Sequence, residues 1–344
     1  MEEKKSTPLS EIGEFGLIDH LTSGISLKHA NVIKGIGDDA AVLDFGEKCV
    51  IVTSDILTEG IHFNLMYTPL KHLGYKSVVV NVSDIFAMNA EPKQIVVSIA
   101  VSGKISVEAM EELYSGIYLA CEKYNLDLIG GDTSSSLTGM TISITALGEA
   151  GKTDVIYRDG AGINDLVCVS GDLGGAYMGL QLLEREKELF SKDPGIQPDL
   201  SGKDYILERQ LKPEARGDII RCLRDAGIRP TSMIDISDGL SSEILHICKN
   251  SGCGCCLYEG KIPVNQATAE AAREFNIEPV ITALHGGEDY ELLFTVPVRD
   301  YEKLTKIKDV TVIGSITEKS RKALLITENG SRVEITAQGW NALR

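Results

Sequence analysis

Four times in this chain a β-branched or aliphatic run is followed within a few residues by aspartate. Val50-Ile51-Val52 leads to Thr53-Ser54-Asp55, and Val78-Val79-Val80 leads to Asn81-Val82-Ser83-Asp84. Leu128-Ile129 leads to Gly130-Gly131-Asp132, and Ile234 to Asp235-Ile236-Ser237-Asp238. Runs of this kind predict buried strands, and strand ends are where functional loops begin. The chain is therefore expected to fold as layered sheets and helices that present carboxylates at strand ends. Two further carboxylate pairs sit in glycine turns, Gly35-Ile36-Gly37-Asp38-Asp39 and Gly286-Gly287-Glu288-Asp289.

A single aspartate of this sort is usually a turn former or a helix cap. Gathered at one site, several would repel one another and resist ionisation unless a cation lay between them. Magnesium suits the role, because it takes oxygen ligands and commonly combines one or two carboxylates with phosphate oxygens and water. The hydroxyls of Thr53 and Ser54 beside Asp55 match that preference. Metals held in this way bridge and neutralise phosphates, which points to a nucleoside triphosphate.

Other chemistries are excluded by what is missing. No G-x4-G-K-[ST] marks a P-loop, no H-R-D with D-F-G marks a protein kinase, and no H-E-x-x-H or clustering of the six histidines suggests catalytic zinc. A formal charge of −16 argues against binding nucleic acid or an anionic membrane surface. No apolar run nears the ~20 residues that span a bilayer, and the polar start predicts a cytoplasmic protein. The eight cysteines read as reduced thiols. Cys248, Cys253, Cys255 and Cys256 lack paired C-x2-C knuckles, which favours small buried residues entering a strand over a zinc site.

At 344 residues, two domains are expected. The polar, glycine-rich stretch 148–165 predicts the boundary, giving a first domain over 1–150 and a second over 151–344. In the first, strands are expected at 40–43, 50–53, 77–82, 94–101, 126–129 and 141–147. Helices are expected there at 9–21, 70–76, 83–88 and 107–124, the last capped by Ser106. In the second, helices are expected at 175–185, 213–226, 241–250 and 265–275, with a loop over 187–203. The segment Ser170-Gly171-Asp172-Leu173-Gly174-Gly175 reads either as an ordinary strand-to-helix turn or as a phosphate site at a helix N-terminus.

Taken in order, Gly35-Ile-Gly-Asp-Asp-Ala-Ala41, Thr53-Ser-Asp55, Glu59-Gly-Ile-His62-Phe63, Asn81-Val-Ser-Asp84, Gly130-Gly-Asp-Thr133, Asp235-Ile-Ser-Asp-Gly239 and Gly286-Gly-Glu-Asp-Tyr-Glu291 resemble the thiamine-monophosphate kinases. These belong with aminoimidazole ribonucleotide synthetase and selenophosphate synthetase. The resemblance runs from about Gly13 to Trp340. It implies an α+β N-terminal domain whose mixed sheet serves in homodimerisation, followed by an α/β C-terminal domain. It also implies an ATP-dependent phosphotransferase acting on thiamine monophosphate, without a covalent nucleophile.

By matched motif position, the resemblance implies magnesium ligands at Asp39, Thr53, Ser54, Asp55, Asp84, Asp132, Asp235 and Asp238. It implies ATP contacts at Gly131, Asp132, Arg158 and Ser237, and substrate contacts at His62, Glu288 and Trp340. Trp340 would stack on the heterocycle or plug the C-terminal core. Glu288 would accept from a pyrimidine amino group or lie in a surface turn, and His62 would be a ligand or a structural histidine. Another ATP-dependent enzyme of the same superfamily, or a noncatalytic nucleotide- or metal-binding module, are the competing readings.

Overall fold

A computed structural model describes residues 16–18, 20–24, 27–195 and 197–337. The first sheet is built from β1 (Val32–Lys34), β2 (Ala41–Asp44), β3 (Lys48–Thr58), β4 (Glu91–Val101), β5 (Asp127–Ser135) and β6 (Thr141–Gly151). Its order is β1-β2-β3-β6-β4-β5. All pairs are antiparallel except β4 with β5. That parallel pair needs a crossover, supplied by helix α2 (Val107–Tyr124). Ser106 caps α2 as expected, its hydroxyl accepting from the Ala109 N–H at 3.2 Å.

Helix α1 (Leu70–Ala87) overturns part of the sequence reading. The expected strand at 77–82 is the middle of this helix, which joins the two helices expected on either side. Val78, Val79 and Val80 favour strands intrinsically, but nearly every residue from Leu73 to Ala87 is buried. A helix enclosed on all sides has no solvent-facing stripe and so loses the 3.6-residue periodicity that would reveal it. It packs against β3, β4, β6 and α2 on one side and β8 of the second sheet on the other. The α1–α2 contact is close because glycines face it. A Cβ on Gly74 would lie 1.9 Å from the Leu113 carbonyl oxygen, and one on Gly116 1.9 Å from that of Lys71.

The second sheet contains β7 (Leu166–Ser170), β8 (Ser232–Asp235), β9 (Gly254–Tyr258), β10 (Leu292–Val296), β11 (Val310–Thr317), β12 (Ala323–Ile326) and β13 (Arg332–Glu334). The order is β13-β12-β9-β11-β7-β10-β8, antiparallel apart from β12 with β9. Between its strands run α3 (Gly175–Lys192), α4 (Asp204–Leu211), α5 (Gly217–Asp225), α6 (Leu240–Ser251), α7 (Gln266–Glu274), α8 (Pro279–His285) and α9 (Tyr301–Leu304). Helix α3 extends seven residues past the expected 185, so the first part of the expected loop is helical. Pro194 follows soon after its end. The helix expected at 9–21 lies mostly outside the described residues.

One apolar core spans both sheets, from Ile51, Ile95 and Ile144 in the first to Met233 and Phe294 in the second, with Ile219 of α5. A second cluster, with Val169, Ile234, Ile244 and Leu293, lies beneath α6. The shared core buries α1 between the sheets and brings one face of it to the site. Among the described residues, no helix is long and apolar enough to cross a membrane.

Candidate functional site

A cleft of about 670 Å³ opens between the two sheets. Its walls carry Asp39, Thr53, Ser54, Asp55, Asp84, Asp235 and Asp238, together with His62, Arg158, Ser237 and Glu288. Of the four aspartates expected to converge, Asp55, Asp84 and Asp235 share the cleft and Asp132 does not, and only one of the four motifs uses a strand end in the expected way. Asp235 is the last residue of β8, whereas Asp55 lies inside β3, Asp84 on α1 and Asp132 inside β5.

Carboxylate oxygens of Asp39, Asp84 and Asp235 lie within 4.8 Å of one another. The buried Asp39 is gripped by the Arg158 guanidinium, with Nη2 2.9 Å from Oδ1 and Nε 3.1 Å from Oδ2. This fork uses one lone pair on each oxygen and leaves others for a further ligand. Arg158 follows the first sheet, and its own N–H donates to Asp38 Oδ1 at 3.1 Å. Burial favours a neutral guanidinium, but Asp39, Asp38 and Asp235 hold its pKa above the ordinary value. Thr53 donates to Asp84 Oδ2 at 2.5 Å, and Ser83 donates to Asp235 Oδ2 at 2.6 Å.

Those hydroxyls do not neutralise the cluster. Among the described residues, neither Asp84 nor Asp235 has an ion-pair partner. Burial, followed by the charges of Asp55, Asp235 and Asp39, pushes Asp84 well above the usual carboxylate range. Burial and then Asp39 push Asp235 up to about 8, against the Ser83 hydrogen bond. Three close oxygen donors, two of which, Asp84 and Asp235, are hard to ionise without a cation beside them, fit a hard divalent cation such as magnesium.

Strand alternation separates two neighbours. Thr53 and Asp55 face α1, where the Asp55 N–H donates to the buried Asn81 Oδ1 at 3.0 Å. Ser54 points to the opposite face, its hydroxyl 3.2 Å from the Ile144 carbonyl oxygen and 3.0 Å from Thr145 Oγ1. Gly131 and Asp132 are not among the residues lining the cleft; they lie on β5, the edge strand. A Cβ on Gly131 would sit 1.9 Å from the Val97 carbonyl oxygen, so close packing on β4 already requires glycine there. Trp340 lies outside the described residues.

The carboxylates of 286–291 divide between two tasks. Glu288 faces the cleft, in a left-handed conformation at φ +57°, with its N–H 2.6 Å from the Ser237 carbonyl oxygen. Asp289 and Glu291 turn inward, where Glu291 binds Arg209, Arg216 and Ser170. Asp289 accepts from the Gly174 N–H at 2.8 Å and the Ala176 N–H at 3.5 Å. The phosphate reading of 170–175 is thereby corrected, because the protein's own carboxylate occupies the N-terminus of α3.

His62 accepts the Thr58 N–H on Nδ1 at 3.0 Å, which in a neutral ring leaves the proton on Nε2. Sequence reasoning passed over Tyr67, Tyr177, Glu184 and Lys187, which also line the cleft, and Lys76 behind it. The signal for Lys76 was a lysine within the apolar run Tyr75–Val82, since a buried lysine needs a partner.

This fold and cleft define a member of the AIR synthase-related class. The family model for AIR synthase related protein, N-terminal domain, matches residues 37–150. The thiamine-monophosphate kinase of Aquifex aeolicus is 34% identical over 332 residues, covering 96% of this chain and 98% of that protein. The thiamine-monophosphate kinase of Bacillus subtilis is 31% identical over 334 residues, covering 95% and 98%. A solved structure of AaThiL complexed with AMPPCP and TMP is 33% identical, with a TM-score of 0.83 and coverage of 98% of this chain and 99% of that one. The chain belongs to the thiamine-monophosphate kinase family and is an enzyme of the phosphotransferase class.

Proposed function

We propose that this chain transfers the γ-phosphoryl group of ATP to the phosphate of thiamine monophosphate, forming thiamine diphosphate. The observation that carries the reading is the meeting of Asp39 from the turn before β2, Asp84 from α1 and Asp235 from the end of β8 in one cleft. Several magnesium ions would be held by Asp39, Thr53, Asp55, Asp84, Asp235 and Asp238, with Ser54 and Asp132 as further candidates. When bound, they supply charge neutralisation and orientation for two anionic reactants.

The chain's own groups supply the rest. Arg158 holds Asp39 in place and offers its remaining donors to a phosphate. The hydroxyls of Thr53 and Ser83 orient Asp84 and Asp235. His62, with its proton on Nε2, donates to the acceptor, and Glu288 accepts from the heterocycle's amino group. The acceptor phosphate has a second pKa near ~6 and is largely ionised at neutral pH, so in-line attack requires no strong general base. Ser237 contacts ATP, and Trp340 the substrate ring.

Two units, 1–150 and 151–344, enclose the site in this proposal, and two copies of the chain pair through the first sheet. The exposed Ile56 on β3 and Ile129 on β5 support that pairing. Gly131 and Asp132, on the exposed edge strand, would meet ATP in the assembled dimer. The protein would act in the cytoplasm. The test is incubation with ATP, magnesium and thiamine monophosphate, with free thiamine as the control acceptor. Formation of the diphosphate from the monophosphate alone is expected; nucleotide binding without transfer to it defeats the proposal.

A further inference from the structure

Lys76 is 3% exposed and sits in the middle of α1. Its ammonium lies 3.0 Å from Glu288 Oε2 and 3.1 Å from the Gln210 carbonyl oxygen. Gln210, itself buried on α4, donates Nε2 to the same Glu288 oxygen at 2.9 Å. Three elements distant in sequence thus meet on one oxygen. Among the described residues, Glu288 Oε1 accepts no hydrogen bond within the chain, while Glu288 itself lines the cleft. The pair is therefore asymmetric. Its cation is enclosed and outside the cleft lining, and its anion faces the cleft.

A lysine buried this deeply is costly unless paired, and a pair serving only packing could be replaced by apolar side chains. Here the helical register supplies a further role. Val80 and Asp84 follow Lys76 at four-residue intervals, on the same face of α1, and both line the cleft. Eight residues of helix span about 12 Å. One rigid helix therefore carries a carboxylate of the metal cluster at one end and the anchor for Glu288 at the other.

We infer that Lys76 is a positioning residue for the phosphate acceptor. It holds the Glu288 carboxylate aimed so that Oε1 receives an N–H of the acceptor's amino-heterocycle at a set distance from the metal cluster. This rests on the proposed reading of the cleft, within which it assigns a role to a residue that touches neither reactant.

The experiment measures steady-state kinetics with ATP and thiamine monophosphate for wild type, Lys76→Met, Glu288→Gln and the double variant. Lys76→Met is expected to raise the acceptor KM about tenfold, the scale of one charge-assisted hydrogen bond, with a much smaller change in the KM for ATP. The double variant should be no worse than Glu288→Gln alone, because Lys76 acts through that carboxylate. Gln210→Met, which removes the second donor and leaves the lysine, should raise the acceptor KM in the same direction. It decides the matter should Lys76→Met fail to fold by circular dichroism.

An unchanged acceptor KM in a folded Lys76→Met protein, or in Gln210→Met where that variant must decide, overturns the inference. So do multiplicative losses in the double variant. A wild-type enzyme that neither binds nor phosphorylates thiamine monophosphate overturns the reading of the cleft, and the inference with it.

Discussion

The Ser83 hydroxyl donates to Asp235 Oδ2 at 2.6 Å, joining α1 to the last residue of β8. Asp235 is 3% exposed, and its carboxylate is already disfavoured by burial and by Asp39. Ser83→Ala would remove a donor that favours the charged form and leave a buried acceptor unsatisfied. We expect kcat/KM to fall about tenfold at limiting magnesium. Part of that loss should return as magnesium is raised, which a titration of rate against magnesium would reveal.

Asp84 is the member of the cluster whose removal should separate function from stability. With no cation present, Asp84 is raised by burial and by three neighbouring aspartates. Asp84→Asn relieves that repulsion while removing a candidate ligand. Turnover should drop by at least about a hundredfold, the scale of a lost electrostatic catalytic group. The melting temperature in the presence of a chelator should rise. A decrease in both quantities would mean that Asp84 serves packing.

The same imbalance predicts a pH dependence. A carboxylate with its folded pKa near 8 and its unfolded value near 3.8 keeps its proton in the native state while the unfolded chain releases it. Between these values the native state binds more protons, so stability falls as pH rises. Chelator-treated protein is therefore expected to lose several degrees of melting temperature from pH 5 to pH 8. Magnesium should restore more at pH 8 than at pH 5. Scanning calorimetry across that range, with and without the ion, checks both signs.

Arg158 and Asp39 form a planar two-point contact that lysine cannot reproduce. Arg158→Lys keeps the charge but loses the fork, and the Asp39 carboxylate gains freedom beside the cluster. The KM for ATP should rise about tenfold, by the loss of a charge-assisted contact. The acceptor KM should change much less. Equal increases in both would place Arg158 in general packing of the cleft.

Much of the candidate site's lining was legible in the primary sequence because its chemistry is compositional. Paired carboxylates, neighbouring hydroxyls and the lack of a P-loop or zinc motif sufficed to suggest an oxygen-lined metal site. Ser106 announced the start of α2 because a cap acts locally, and regular alternation marked β6. Packing decided the remainder. Val78 to Val80 became helix because burial on every side outweighed β-branched propensity. Thr53 and Ser54 parted company because β3 runs through them and turns successive side chains to opposite faces. Asp289 became a helix cap, and Lys76 met Glu288 across 212 positions, through contacts that no local window contains. Residue types set which bonds and charges were available; burying both sheets against α1 chose which of them came within reach.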